Sequence, residues 1–174
     1  MGIYLNPDSS KFEEAVNSDI YVDKTGLLTY TNSVLHTMQK YICISRPRRF
    51  GKSTAANMLT AYYSRGCDAE QIFSQFEIAK DSGFKKYLNK YNTISVNMQE
   101  ILSRSRSIYE LIERFNKLLI RDLKKEYPDV DYFDDTDVIE CMQDVYSQKK
   151  QAFIVILDEW DCICLLYTSD AADE

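Results

Sequence analysis

Apolar residues recur at helical spacing over most of the chain, and short extended runs interrupt them at three places. Ser107-Ile-Tyr-Glu110 opens the clearest helix. A Ser followed three residues later by Glu has capping-box spacing, and Ile108, Leu111, Ile112, Phe115, Leu118, Leu119 and Leu123 then share one stripe until Tyr127, ahead of Pro128. That stripe reads as a core face. Ser10-Lys-Phe-Glu13, before Ala15 and Val16, has the same spacing and predicts a short opening helix. Tyr21 to Lys24 reads as extended, and Thr25 then caps a helix to about His36 with Leu27, Leu28, Thr31 and Leu35 inward. Ser53 to Ser64 places Ala56, Leu59, Thr60 and Tyr63 on one face, and Ser64-Arg-Gly66 marks its stop. Shorter helices are expected from Asp68 or Ala69 to Phe76 and from Asp81 to about Lys90, the latter with Phe84, Tyr87 and Leu88 inward. Asp137 to Lys149 carries Val138, Met142, Val145 and Tyr146 on its inner side.

Tyr41 to Ser45 alternates too little for a half-exposed strand and fits a buried parallel one. Thr93-Ile-Ser-Val-Asn97 is a second strand, its Asn97 either a turn former or a group at the ligand-binding edge of the sheet. Phe153-Ile-Val-Ile-Leu157 is a third. Helices alternating with three strands, and no internal repeat, predict an α/β fold with a parallel sheet flanked by helices.

Composition narrows the function classes. A chain of 174 residues with 45% apolar content can bury one core, and a net charge of −6 gives no bias toward nucleic acid or a membrane surface. No apolar run approaches the roughly 20 residues that span a bilayer, and no basic start with an apolar core marks a signal peptide. Met1-Gly2 is not a myristoylation start, because Asn6 stands where Ser or Thr is wanted. The five cysteines lack zinc spacing and have only His36 to join them as a ligand, so they read as reduced thiols of a cytoplasmic protein. The acidic stretch from Asp129 to Asp137 fails the calcium-loop pattern, with Phe133 at a ligand position and no Gly for the turn, and reads as a solvated loop that caps the following helix.

The candidate chemistry lies after the first strand. Ser45-Arg-Pro-Arg-Arg-Phe-Gly-Lys-Ser53 ends in the Gly-Lys-Ser of a phosphate-binding loop set between a strand and a helix. Backbone N–H groups of such a loop curl around an anion while the helix N-terminus points at it. Arg46 stands at the position of the usual first Gly and Pro47 removes a donor, so the nest must come from about Arg49, Phe50, Gly51, Lys52, Ser53 and Thr54. Lys52 is the cation for the β and γ oxygens, and the Ser53 hydroxyl is one ligand of Mg²⁺. Far downstream, the third strand ends in Asp158-Glu159, the form of a Walker B strand, with Asp158 the second Mg²⁺ ligand and Glu159 the group that polarises an attacking water.

These two motifs, with Tyr21-Val-Asp-Lys-Thr25 upstream and Leu157-Asp-Glu-Trp-Asp161 downstream, resemble the AAA-ATPase-like family of bacterial predicted P-loop ATPases over roughly residues 12 to 163. Arg46 in place of Gly resembles the family's own loop form, whereas Trp160 and Cys162-Ile163 depart from the D-E-Y-D-P of its members. The resemblance implies a P-loop NTPase fold, ATP as the ligand, Mg²⁺ with it, and hydrolysis to ADP and phosphate. In ATPases of this broad type the segment before the first strand packs near the adenine; here Tyr21 to Lys24 either does so or only anchors the N-terminal arm. Arg48 or Arg49 either reaches the γ-phosphate or is solvated.

After Ile163, Cys164 to Glu174 has no period, shows no likeness to the family and looks like translated adapter read-through. On that reading, residues 1–163 are the N-terminal part of a P-loop domain, incomplete at its C-terminus, and 164–174 are an artefactual tail. A strand that such ATPases insert between the phosphate-loop strand and the Walker B strand is then missing. Two alternatives to an ATPase stay open. One is a nucleotide-controlled switch with little turnover, acting on itself as an oligomer or on a partner protein. The other is the ATPase module of a nucleic-acid-processing protein whose C-terminal nuclease-like domain is not in this sequence.

Overall fold

The structure, a computed structural model, describes residues 2–45, 47 and 49–163. Its frame is a parallel pair, β1 (Asn92–Asn97) and β2 (Phe153–Asp158), in register from Asn92 opposite Phe153 to Asn97 opposite Asp158. The outer edge of β1 is taken by the N-terminal segment, which runs antiparallel to it. Ser95 N–H donates to the Tyr4 carbonyl at 2.9 Å and Asn6 N–H to the Thr93 carbonyl at 2.8 Å. Parallel strands need a long crossover, and here the chain between them supplies α6 (Met98–Leu102), α7 (Ile108–Glu126) and α8 (Val138–Lys149).

Alternation along β1 sorts the two layers. Ile94 and Val96 face a core built with Leu111, Leu119 and Leu123 of α7 and Val145 of α8. Ser95 faces the other way and accepts a hydrogen bond from the Thr60 hydroxyl of α3 (Lys52–Tyr63) at 2.9 Å. A second core lies on that side, where Phe12 of α1 (Ser10–Val16), Leu28 of α2 (Gly26–Val34) and Tyr62 and Tyr63 of α3 pack with Phe73 of α4 (Glu70–Phe73) and Phe84 of α5 (Phe84–Tyr87). Buried hydroxyls in it are paired: Tyr63 donates to Asn32 Oδ1 at 2.8 Å and Tyr62 to the Phe84 carbonyl at 2.9 Å.

Several expectations are corrected. Tyr41 to Ser45 is not a buried strand: its side chains are exposed, Ile42 by 39%, and among the described residues its backbone joins no ladder. A strand is defined by its neighbours, and the free edge of β2 is separated from this segment by a cavity that both line. Helix stripes also turn. In α3, Ala56 and Leu59 are half-buried beside that cavity, while Ala55, Met58 and Ala61 take the core positions. In α7, Ile112 is half exposed and a charged residue, Asp122, is buried. Inner positions of α8 fall to Val138, Cys141 and Val145, with Tyr146 exposed. The helices expected after Asp68 and Asp81 shrink to four residues each, and α6 is additional.

Caps are better marked in the sequence than stripes. Ser107 Oγ accepts from Glu110 N–H at 3.2 Å and Asp137 Oδ1 from Ile139 N–H at 2.7 Å, which starts α7 and α8. Glu110 returns to Arg106 N–H at 2.8 Å rather than to Ser107, so the box is offset by one residue. Ser107→Ala is expected to lower the unfolding free energy by about 1 kcal/mol, read as a shifted urea midpoint with an unchanged slope. At the opening helix the box is displaced: Glu13 pairs with Ser9, and Asp8 accepts from Ser10 N–H at 3.1 Å. The acids of the 129–137 loop are engaged locally, Asp129 with Lys149, Asp135 with Lys124 at 2.6 Å and Asp134 with Thr136 N–H at 2.8 Å.

Candidate functional site

Residues 47 and 49–51 turn the chain from the exposed 41–45 segment into α3. Arg49 has φ 68° and Gly51 φ 76°, both left-handed, which bends the backbone sharply just before the helix. Gly51 is the N-cap, its carbonyl accepting from Ala55 N–H at 3.0 Å, so Lys52, Ser53 and Thr54 form the first turn and their N–H groups have no helical acceptor. The positive end of the helix dipole and donors with no helical acceptor together make this end of α3 attractive to an anion. Arg46 and Arg48, like the 164–174 tail, lie outside the described residues.

The carboxylates approach from β2. Asp158 is its last residue, opposite Asn97, and its Oδ1 accepts Glu159 N–H at 3.1 Å. Glu159 itself has φ 53° and caps a 3-10 turn, Trp160–Cys162. A left-handed Glu costs on the order of 1–3 kcal/mol and is held there only where surrounding contacts fix it. One cavity of about 670 Å³ is lined by Lys52 from α3, Ser45 from the preceding segment, and Asp158, Glu159 and a half-exposed Trp160 from the end of β2. Ser53 is exposed and off that lining, on the outer side of the first helical turn. Arg49 and Phe50 are exposed and Thr54 half-buried. Asn97 serves as a cap, its Oδ1 accepting from Gln99 N–H at 2.9 Å.

The upstream Tyr21 to Thr25 string reaches the loop by a route the sequence did not suggest. Tyr21 packs into the aromatic core, 5.9 Å from Phe12 and 5.3 Å from Phe76 between ring centres, and burial pushes its hydroxyl pKa up to about 12, with Asp23 adding to the rise. Lys24 Nζ donates to the Phe50 carbonyl at 2.9 Å. Tyr21 thus ties the N-terminal arm to the core, and Lys24 holds the phosphate-loop candidate by a backbone carbonyl.

A family model described as predicted AAA-ATPase matches residues 9–173. The chain belongs to this AAA-ATPase-like family. The match begins before the Phe12 core residue and continues past Ile163, where the likeness had been expected to stop, to residue 173. No curated protein and no solved structure matches the chain. Membership brings ATPase as the family's described activity and nucleotide as its ligand class. Among the described residues, no helix is long and apolar enough to cross a membrane.

Proposed function

We propose that this AAA-ATPase-like chain is a P-loop domain that binds ATP and hydrolyses it with Mg²⁺. The observation that carries this reading is the shared cavity: the lysine at the start of α3 and the carboxylates at the end of β2 line it together, although they are far apart in sequence. A γ-phosphate lying there would meet a cation from one side and a proton acceptor from the other.

Lys52 and the amides of Arg49 to Thr54 grip the phosphates through charge-assisted hydrogen bonds. Asp158, on the cavity wall, offers a carboxylate of the kind Mg²⁺ takes together with phosphate oxygens, whereas Ser53, exposed and off that wall, would join it only with its hydroxyl turned inward. When bound, Mg²⁺ neutralises charge on the β and γ oxygens. Glu159 orients water and accepts its proton. The left-handed backbone at Glu159 fits that role, because a strained residue kept at the edge of a cavity has a fixed side-chain origin.

The test is Mg-dependent ATP binding by calorimetry or a fluorescent ATP analogue. Wild type is expected to bind, and Lys52→Ala to weaken binding about thirtyfold, the effect of removing one charge-assisted hydrogen bond. Equal binding by the two proteins, or none by wild type with or without Mg²⁺, would sink the reading.

A further inference from the structure

Lys24 is an exposed lysine whose backbone is held on both sides by its neighbours. Asp23 on one side uses both carboxylate oxygens, Oδ1 on Thr25 N–H at 2.8 Å and Oδ2 on Glu77 N–H at 3.0 Å. Thr25 on the other side is fully buried, and its hydroxyl accepts Ile78 N–H at 3.2 Å. Burial pushes the Asp23 carboxyl upward, but the Glu77 and Thr25 amides outweigh it and hold the group below the usual carboxylate range, so the anchor is charged at neutral pH. The Cα of Lys24 therefore sits on a post fixed to the 77–78 turn, which belongs to the aromatic core and not to the loop.

From that post Nζ reaches the Phe50 carbonyl at 2.9 Å. It comes so close that a Cβ added to Gly51 would lie 2.4 Å from Nζ. The φ of 76° is what requires glycine at 51, and a Cβ there would also displace the lysine from the carbonyl. The Phe50–Gly51 peptide is a planar unit in which C=O and N–H point in opposite directions. A donor fixed on the carbonyl side dictates where the N–H on the other side is aimed.

We propose that Lys24 is a positioning residue that sets the plane of the Phe50–Gly51 peptide, so that Gly51 N–H faces the phosphate rather than solvent. This rests on the nucleotide reading for its ligand, though not for the peptide geometry. The lysine acts from the rear of the loop and touches no phosphate. With Lys24 in place, the Gly51 amide is ready before nucleotide arrives; without it, each binding event must first turn the peptide.

Lys24→Met, which keeps an unbranched stem one atom shorter and loses the donor, and Lys24→Arg, which keeps a donor, test this in the full chain. In the nucleotide-free protein the Gly51 amide resonance is expected to move in the Met variant and to stay near its wild-type position in the Arg variant. The Met variant should raise the ATP dissociation constant about tenfold, as for one positioned hydrogen bond, and the Arg variant should come within about threefold of wild type. Because the amide grips the phosphate before and during reaction, KM should rise while kcat changes little. An unmoved Gly51 amide in the Met variant overturns the proposal, as does a Met variant that binds ATP as wild type does. If wild type binds no ATP, the nucleotide reading fails, and the Gly51 resonance of the free protein still decides whether Lys24 sets the peptide.

Discussion

Glu159→Gln is expected to keep MgATP affinity within about threefold of wild type and to slow phosphate release about a thousandfold, so that ATP stays trapped on the protein. Gln has the shape and hydrogen-bonding reach of Glu but takes no proton from water. It is also no better suited than Glu to a φ of 53°, so the substitution leaves the backbone cost at this position unchanged and isolates the side chain. Among the described residues the Glu159 side chain makes no hydrogen bond: the turn is held through its main chain, with Glu159 N–H on Asp158 Oδ1 at 3.1 Å and Cys162 N–H on the Glu159 carbonyl at 3.2 Å. Single-turnover release of labelled phosphate, beside equilibrium binding, separates the two effects. Lys52→Ala should give the opposite pattern, with binding weakened first. A Gln variant that turns ATP over like wild type removes Glu159 from the reaction. A wild type that binds MgATP yet hydrolyses it too slowly for the substitution to register is a nucleotide switch.

The two elements proposed to carry this chemistry are legible as a turn and a strand end because each is written locally. Gly51-Lys52-Ser53 marks the loop-to-helix turn, and an apolar run closed by Asp158 and Glu159 marks the end of β2. Caps at Ser107 and Asp137 were legible for the same reason, since donor and acceptor lie within three residues. What depended on distant partners was not. Whether Tyr41 to Ser45 is a strand is decided by a neighbour, and the free edge of β2 does not reach it. In α3 the periodicity showed a helix without showing that it divides its surface between an aromatic core and a cavity, so Thr60 and Tyr63 are buried as expected while Ala56 and Leu59 fall beside the cavity. Lys24 belongs to a string noticed in the sequence, but its acceptor is 26 residues away and is a backbone carbonyl, which no side-chain pattern reveals.

Asp122 is the most consequential residue that no pattern announced, and Asp122→Ala is expected to cost about 3 kcal/mol of stability. It sits on the stripe side of α7 at 3% exposure, where an aliphatic residue would be the ordinary choice. Its partners lie 118 and 117 positions away: Oδ2 accepts Tyr4 N–H at 2.8 Å and Leu5 N–H at 3.3 Å. Those amides belong to the segment that covers the outer edge of β1, and Leu5 N–H is turned away from β1, where no ladder partner exists for it among the described residues. Arg121 closes the other side, Nε and one terminal nitrogen on Oδ1 at 3.3 and 3.1 Å, so the buried charge is paired. Gly2 lies so near that a Cβ there would be 2.5 Å from Oδ2, which shows how tightly the segment is drawn onto the carboxylate. Alanine would leave the buried Leu5 amide and the half-buried Tyr4 amide without an acceptor, at about 1–3 kcal/mol each, partly recovered by water entering the gap. Asp122→Asn keeps one acceptor oxygen and should lose about half as much, and Arg121→Ala, whose guanidinium is half in water, under about 1 kcal/mol. Urea unfolding gives the ordering. Amide exchange at Ser95, whose N–H is bonded to the Tyr4 carbonyl, should accelerate in Asp122→Ala beyond what the global loss explains, because the edge segment detaches before the core opens. Ser95 exchanging in step with the core strands, or an Ala variant within about 0.5 kcal/mol of wild type, would mean that the segment is held by Leu5 and Asn6 packing and not by the carboxylate.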